Sequence, residues 1–190
     1  MKSALLVVDV QKSFDWVDDS LDDGKKKVAE TLRQVLRDAR ENATIIPVFI
    51  KKFDEKEIVS KAPFGVQYHI GEGCIGCGGV DPFPAFLEHR HGNDFEPVFL
   101  KGHMDAFRGN GELEKFLREK KIKDIFLAGC FTFSCVLETA RGAYEAGFNV
   151  RALRECVFPQ LMDNNNAHHW VTSVTICHPP IRKRGSVTVV

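Results

Sequence analysis

The chain has 190 residues, of which 44% are hydrophobic and 27% charged, and its formal net charge is +0. This length and composition are typical of one globular domain, spanning residues 1–190, with a full hydrophobic core. The balanced charge argues against a nucleic-acid or anionic-membrane partner, and no apolar stretch is long enough to cross a bilayer.

The N-terminal segment lacks the features of a targeting signal. Residues 1–9 hold one cation and a short apolar run, which Asp9 interrupts, and no small-residue cleavage site follows. We therefore expect a cytoplasmic protein.

The six cysteines do not indicate a disulfide framework, because the chain is not a short secreted one. Cys130, Cys156 and Cys177 lie in mostly apolar surroundings and are expected to be buried reduced thiols. Cys74 and Cys77 have zinc-knuckle spacing, but a second such pair is missing. The nearest histidines, His69, His89 and His91, match no standard finger. A structural zinc site remains a minor alternative, and we expect no metal and no cofactor.

Strand-like and helix-like segments alternate along most of the chain. Apolar runs predict strands over residues 4–10, 44–50, 97–101, 122–128 and 148–153. Amphipathic stretches predict helices over 24–42, 111–120 and 135–146. This alternation predicts an α/β fold in which helices cover both faces of a central, mainly parallel sheet.

The remaining segments are less regular. We expect a helix from about residue 167, although residues 171–176 have strand-like composition, and a last strand over 186–190, giving about six strands. Residues 54–92 hold many glycines and three prolines without a firm period, so we expect an irregular loop insertion there. Long irregular segments in compact domains often serve as lids or binding loops.

Three polar residues lie at or just beyond the ends of apolar runs: Asp9, Lys101 and Cys135. The carboxyl ends of parallel strands meet at one edge of a sheet, where ligands bind, so these side chains can converge if their strands are neighbours. Each residue alone also has an ordinary explanation, as a turn cap, a surface charge or a buried helix thiol. Their like positions favour a shared site.

The three groups form a chemically complete set. Cys135 lies near a helix N-terminus, where the dipole and free N–H groups favour the thiolate. Asp9 can take the thiol proton, and Lys101 can keep Asp9 ionised. Cys135 can form a covalent acyl intermediate that water hydrolyses. The N–H of Cys135 and one from the preceding turn can bind the oxyanion.

Three motifs in order resemble those of the isochorismatase-like cysteine hydrolases. They are Leu5-Leu6-Val7-Val8-Asp9-Val10-Gln11 with Phe14, then Lys101-Gly102-His103-Met104-Asp105-Ala106-Phe107, and Gly129 through Ala140. The resemblance implies a Rossmann-like three-layer sandwich and an Asp-Lys-Cys triad, here Asp9, Lys101 and Cys135. It also implies an oxyanion hole from the backbone N–H groups of Phe131 and Cys135, and a cis peptide between Cys130 and Phe131.

The resemblance also bears on the reaction. Family members that cleave amides include nicotinamidases, N-carbamoyl-amine hydrolases and ureidoacrylate hydrolases, whereas true isochorismatases cleave a vinyl ether without a thiol. Cys135 therefore favours a hydrolase of a small amide or N-carbamoyl compound. Nicotinamidases carry a metal site after the second strand, but residues 50–57 contain no histidine here. No metal of that type is expected, and nicotinamide becomes a less favoured substrate.

Four residues are candidates for the substrate pocket: Phe14, Trp16, His103 and Phe133. Core packing is an equal alternative for Phe14 and Trp16, solvent exposure the alternative for His103, and simple packing that for Phe133, where many relatives have aspartate. Relatives commonly form dimers or tetramers, so we expect a homo-oligomer that acts on a small molecule.

Two other classes of function stay open. One is a binding or scaffold protein that has lost catalysis, suggested by Phe133 and the unusual middle loop. The other is a zinc-stabilised redox or sensor protein that uses Cys74 and Cys77.

Overall fold

The computed structural model describes residues 2–52, 83–90, 96–109, 111–159 and 174–177. Strands β1 to β6 span Lys2–Val8, Ile45–Lys52, Val98–Lys101, Ile122–Cys130, Asn149–Phe158 and Val174–Cys177. Helices α1 to α3 span Asp23–Glu41, Glu112–Glu119 and Leu137–Glu145. The six strands form one sheet in the order β3-β2-β1-β4-β5-β6, and every pairing is parallel. The predicted α/β fold is confirmed.

The sheet separates two hydrophobic layers. Because successive side chains of a strand point to opposite faces, Leu6 and Val8 of β1 join one layer, while Leu5 and Val7 join the other. The first layer packs against α2 and α3, and the second packs against α1. Residues in the middle of β1 are fully buried, which explains why this strand is an almost continuous apolar run.

Helix α1 follows directly from its sequence. Its N-cap is Asp22, whose side chain accepts a hydrogen bond from the backbone N–H of Lys25 at 2.8 Å. Its buried face consists mainly of apolar residues at helical spacing, including Val28, Leu32 and Leu36. The helix therefore covers one face of the sheet, as the amphipathic pattern predicts.

A buried ion pair fastens the chain before β3 to α1. Both nitrogens of the Arg40 fork contact the Glu96 carboxylate, Nε–Oε1 at 2.8 Å and Nη2–Oε2 at 2.9 Å, and both side chains are almost fully buried. Glu96 also accepts the backbone N–H of Arg90, and Arg40 donates to the carbonyl of Leu87. This cluster sets the position from which β3 starts.

One sequence expectation is wrong, and others lie outside the described residues. The helix expected from about residue 167 is contradicted at its C-terminal part, where Val174–Cys177 form β6 and pair with β5. β-branched residues dominate this segment, and they favour a strand over a helix. The strand expected over 186–190 and most of the loop expected over 54–92 lie outside the described residues. None of the helices described is both long and apolar enough to cross a membrane.

Candidate active site

A buried ion pair lies at the carboxyl edge of the sheet. The Lys101 Nζ lies 2.7 Å from Oδ2 of Asp9, and both side chains are at most 2% exposed. The Lys101 ammonium also donates to the carbonyls of His103 at 3.2 Å and Met104 at 3.3 Å. Two carbonyls and one carboxylate thus hold the ammonium in place, as a buried cation requires.

The strands that carry this pair are not neighbours. Asp9 directly follows β1, and Lys101 ends β3, while β2 lies between them. The sequence argument supposed adjacent strands. Adjacent strands lie about 4.8 Å apart, so the pair bridges about 10 Å of sheet. The two groups meet because the lysine side chain is long enough to reach across β2.

Cys135 approaches the same carboxylate from the other side. It lies in a π-helical turn, Thr132–Val136, that joins the end of β4 to α3. Strand β4 is the direct neighbour of β1, so this turn starts beside Asp9. The Cys135 thiol lies near enough to the Asp9 carboxylate for that charge to raise its pKa, and it is only 5% exposed. The structure therefore brings Asp9, Lys101 and Cys135 together.

The electrostatics of the site differ from the sequence expectation. Burial and the neighbouring Asp9 charge raise the pKa of the Cys135 thiol, and the Lys101 ammonium opposes this only in part. Burial also raises the pKa of Asp9, against the opposing effects of the Lys101 ammonium and the nearby Cys135 thiol. The expected bias toward thiolate is therefore wrong, because burial and a close carboxylate outweigh the helix N-terminus.

The chain before Cys135 has the expected backbone features. The peptide between Cys130 and Phe131 is cis, as the family resemblance implies. Gly129 has φ of +110°, and a Cβ there would overlap the carbonyl oxygen of Val8 in β1. Only glycine permits this close approach of β4 to β1. Phe131, one of the proposed oxyanion donors, directly precedes the π-helical turn, and Cys135, the other, is its fourth residue.

The four pocket candidates lie in different surroundings. Phe133 is 37% exposed and His103 is exposed. The ring of Phe14 meets that of Phe131 edge-on at 5.9 Å, and Phe131 is itself 38% exposed. Trp16 is fully buried between Phe86 and Phe158, so it occupies the core position that was its alternative.

Sequence reasoning missed two residues that order the site. The side-chain amide of buried Gln11 donates to the carbonyl of Lys52 and accepts the N–H of the same residue, at 2.9 and 2.7 Å. It thereby ties the chain after β1 to the end of β2. Buried Thr139 of α3 contacts the loop that follows Lys101. Both residues stand within the motifs quoted above, but their contacts link distant segments and leave no local pattern.

The described residues contain no group of three or more His, Cys, Asp or Glu side chains that could hold a metal ion. His89 packs against the rings of Phe49 and Phe83. Cys74, Cys77, His69 and His91, on which the zinc alternative depends, lie outside the described residues. Cys130 and Cys156 are buried and form no disulfide, as expected.

Comparison with protein-family models identifies the class to which this fold and site correspond. The isochorismatase domain model matches residues 3–170, and the chain belongs to that family. The uncharacterized isochorismatase family protein PncA of Bacillus subtilis (strain 168) is 28% identical over 188 residues, which cover 91% of this chain and 93% of that protein.

Solved structures with the same fold include two amide-cleaving enzymes. N-carbamoylsarcosine amidase from Thermoplasma acidophilum superposes with a TM-score of 0.68 at 20% identity, covering 96% of this chain and 99% of that one. The pyrazinamidase/nicotinamidase of Streptococcus mutans UA159 gives a TM-score of 0.65 at 24% identity, covering 93% and 100%. At these identities the likeness establishes the fold.

Proposed function

We propose that this protein is a cysteine-dependent hydrolase that cleaves the C–N bond of a small amide or N-carbamoyl compound. The observation that carries the proposal is the buried cluster in which the Asp9 carboxylate contacts the Lys101 ammonium at 2.7 Å and lies near the Cys135 thiol. A buried carboxylate, amine and thiol in mutual contact are costly to assemble and typical of catalytic sites.

The first half of the reaction forms the acyl-enzyme. Asp9 takes the proton of the Cys135 thiol as Sγ attacks the carbonyl carbon, so charge moves from carboxylate to substrate oxygen. The Lys101 ammonium keeps Asp9 ionised beforehand. The backbone N–H groups of Phe131 and Cys135 bind the oxyanion, each worth about 10²- to 10³-fold in rate. The neutral Asp9 then gives its proton to the departing nitrogen, and the C–N bond breaks.

The second half releases the acyl group. Asp9, ionised again, takes a proton from a water molecule, and the resulting hydroxide attacks the thioester carbon. Collapse of the tetrahedral intermediate breaks the C–S bond, and the proton on Asp9 returns to the sulfur. The products are the amine or ammonia and the acid, and the enzyme regains its starting state.

Two further observations support an amide or N-carbamoyl substrate. A thiol nucleophile suits acyl transfer, in which a covalent intermediate divides one difficult step into two easier ones. Solved proteins with this fold are named N-carbamoylsarcosine amidase and pyrazinamidase/nicotinamidase.

The exposed aromatic rings of Phe131 and Phe133, with Phe14 and His103, form the proposed wall of the pocket. The proposed active unit is a homo-oligomer, a dimer or tetramer, in the cytoplasm.

A screen of small amides and N-carbamoyl compounds tests the proposal, with ammonia or amine release as the readout. Cys135→Ala should abolish turnover and leave the circular dichroism and melting of the protein unchanged. A matched control is Cys156→Ala, which removes another buried thiol. Mass spectrometry of the quenched enzyme should find an acyl adduct on the peptide that contains Cys135. Full activity in Cys135→Ala would refute the mechanism.

The alternative of a binding or scaffold protein keeps one specific argument, the exposed Phe133 ring in the same turn as Cys135. Such a protein would bind small amides without releasing amine, and Cys135→Ala would bind them equally well. Binding calorimetry of the wild type and of Cys135→Ala, with the same compounds, distinguishes binding alone from catalysis.

A further inference from the structure

The backbone of Asp9 has an unusual conformation at the point where the proposed catalysis needs accuracy. Its φ is +53°, in the left-handed region that residues other than glycine adopt only uncommonly. Its N–H donates to the carbonyl of Ile50 at 2.9 Å, and its own carbonyl accepts the N–H of Gln11 at 3.0 Å. These backbone contacts hold the turn, and a second donor also contacts the Asp9 carbonyl.

That donor is the thiol of Cys130, at the end of β4. Its Sγ lies 2.9 Å from the Asp9 carbonyl oxygen and 3.1 Å from Nε1 of Trp16, and the three residues are 1% exposed or less. The thiol S–H donates to the carbonyl, while the indole N–H of Trp16 donates to the sulfur. A thiol is a weak donor and a weak acceptor, and here both capacities are used.

Trp16 is itself held firmly. Its ring packs against Phe86 and Phe158 at centroid distances of 5.9 and 6.0 Å, and the Lys25 ammonium lies 5.8 Å from the ring centroid. The Trp16 indole therefore has a fixed position from which to orient the sulfur. The Trp16 and Cys130 side chains, named here the Trp16–Cys130 brace, connect the α1 side of the core to the Asp9 backbone.

We propose that the Trp16–Cys130 brace positions Asp9, aiming its carboxylate at Lys101 and Cys135 by holding its backbone in the left-handed turn. Cys130 and Trp16 are positioning residues that need not touch substrate. The inference rests on the proposed function only in those experiments that measure turnover.

The protonation of Cys130 fits this role. Burial raises the pKa of this thiol far above its ordinary value, and the charges of Asp9 and Cys135 act in the same direction, against the opposing effects of Trp16 and Lys25. The sulfur therefore keeps its proton over the working pH range and remains a donor. The brace is a fixed contact and not a second nucleophile.

The test compares Cys130→Ala, Cys130→Ser and Trp16→Phe with Cys156→Ala as control. Cys156 is an equally buried thiol of the same hydrophobic layer, so its truncation makes a comparable cavity. For each variant we would measure melting, kcat/KM, and the pH dependence of Cys135 alkylation by iodoacetamide, resolved by peptide mass spectrometry. The alkylation profile needs no substrate.

We expect Cys130→Ala and Trp16→Phe to lower kcat/KM by roughly 10- to 100-fold relative to Cys156→Ala, the size of effect that a misplaced catalytic group produces. The alkylation midpoint of Cys135 should shift to lower pH, because the Asp9 charge that raises its pKa moves away while Lys101 stays. Cys130→Ser, which keeps a donor, should recover much of the rate.

Alkylation midpoints and kcat/KM values that match those of Cys156→Ala in both Cys130→Ala and Trp16→Phe would overturn the brace. If Cys130→Ala fails to fold, Trp16→Phe, which removes the indole donor and keeps an aromatic ring, still decides the matter. A shifted midpoint in a protein that hydrolyses no amide would support the brace and refute the proposed function, so the two failures are distinguishable.

Discussion

The hydroxyl of Thr139 accepts a hydrogen bond from the backbone N–H of Ala106 at 3.2 Å. The same hydroxyl lies 3.4 Å from the carbonyl of Met104, which in turn accepts a hydrogen bond from the Lys101 ammonium. Thr139 belongs to α3, the helix that continues the Cys135 turn. One buried hydroxyl therefore couples the loop that holds the lysine to the helix that holds the thiol.

Replacing Thr139 should loosen that coupling. Thr139→Val keeps the shape but leaves the Ala106 N–H without its partner, so we expect a loss of about 1–3 kcal/mol in unfolding free energy. We also expect a larger fall in kcat than change in KM. Chemical denaturation and steady-state kinetics check both. Thr139→Ser should behave almost as wild type, and Thr31→Val, on the exposed face of α1, provides the control. Equal kinetics for the Thr139→Val and Thr31→Val variants would contradict the coupling.

The pH–rate profile should have both limbs displaced upward. The proposed reaction needs Asp9 ionised and Cys135 protonated at the start, and the pKa values of both groups are raised. Activity should therefore fall on the acid side at a pH above about 3.9, the ordinary value for aspartate, and on the alkaline side above about 8.5, that for cysteine. Measurement of kcat/KM from pH 4 to 10 tests this. An acid limb at or below the ordinary aspartate value would count against Asp9 as the base.

Removing the cation should destabilise the fold in a pH-dependent way. Lys101→Met leaves the Asp9 carboxylate buried without its charge partner, a change that typically costs about 3–5 kcal/mol. Since the folded pKa of Asp9 is already raised, its ionisation opposes folding, and loss of the lysine raises that pKa further. The deficit should be largest near neutral pH and shrink on acidification. Unfolding by urea at several pH values measures it.

The exposed Arg37–Glu88 ion pair offers the comparison for that experiment. Its atoms lie 2.6 Å apart, but both side chains are about half exposed. Arg37→Met should therefore change stability little, because water screens exposed pairs. A loss of unfolding free energy in Lys101→Met that is as small as that in Arg37→Met, and that does not vary with pH, would contradict the prediction.

Substitutions at two glycines should distinguish the cost of backbone strain from the cost of a steric overlap. Both Gly129 and Gly147 have positive φ, but a Cβ on Gly129 would overlap the backbone of β1, whereas nothing lies within 4 Å of one on Gly147. Gly147→Ala should cost about 1–2 kcal/mol from backbone strain alone. Gly129→Ala should cost clearly more and reduce activity, since β4 must move away from β1. Thermal melts and activity assays of both variants test this, and equal losses would contradict it.

Local sequence patterns predict the elements well but not their arrangement. Apolar runs precede Asp9 and Lys101, and an apolar stripe follows one face of α1. These patterns predict the two strands and the helix, because the buried positions of each element must be apolar. Strand order has no such local signature, so the placement of β2 between the two charged residues could not be read from spacing. For β6, the β-branched composition of the segment predicts the observed strand, whereas the alternation of strands and helices along the chain wrongly predicts a helix.

The protonation of Cys135 shows the same limit in the electrostatics of the site. A helix N-terminus can be recognised from sequence, and it predicts a thiolate. Burial and the exact neighbours of a thiol depend on tertiary packing, and here they reverse the prediction. Cys130 and Trp16 likewise meet only because residues 114 positions apart pack together.

The span of the Asp9–Lys101 contact has a consequence for inactivation. Among the described strands β3 lies at the edge, is four residues long and pairs only with β2, while β1 lies inside the sheet. Edge strands with few backbone pairings tend to open at lower free energy than interior ones. On warming, the amine should detach from the carboxylate before the sheet comes apart. Turnover should therefore be lost at a lower temperature than that of the cooperative melting transition. Weakening the Arg40–Glu96 ion pair should widen this temperature difference.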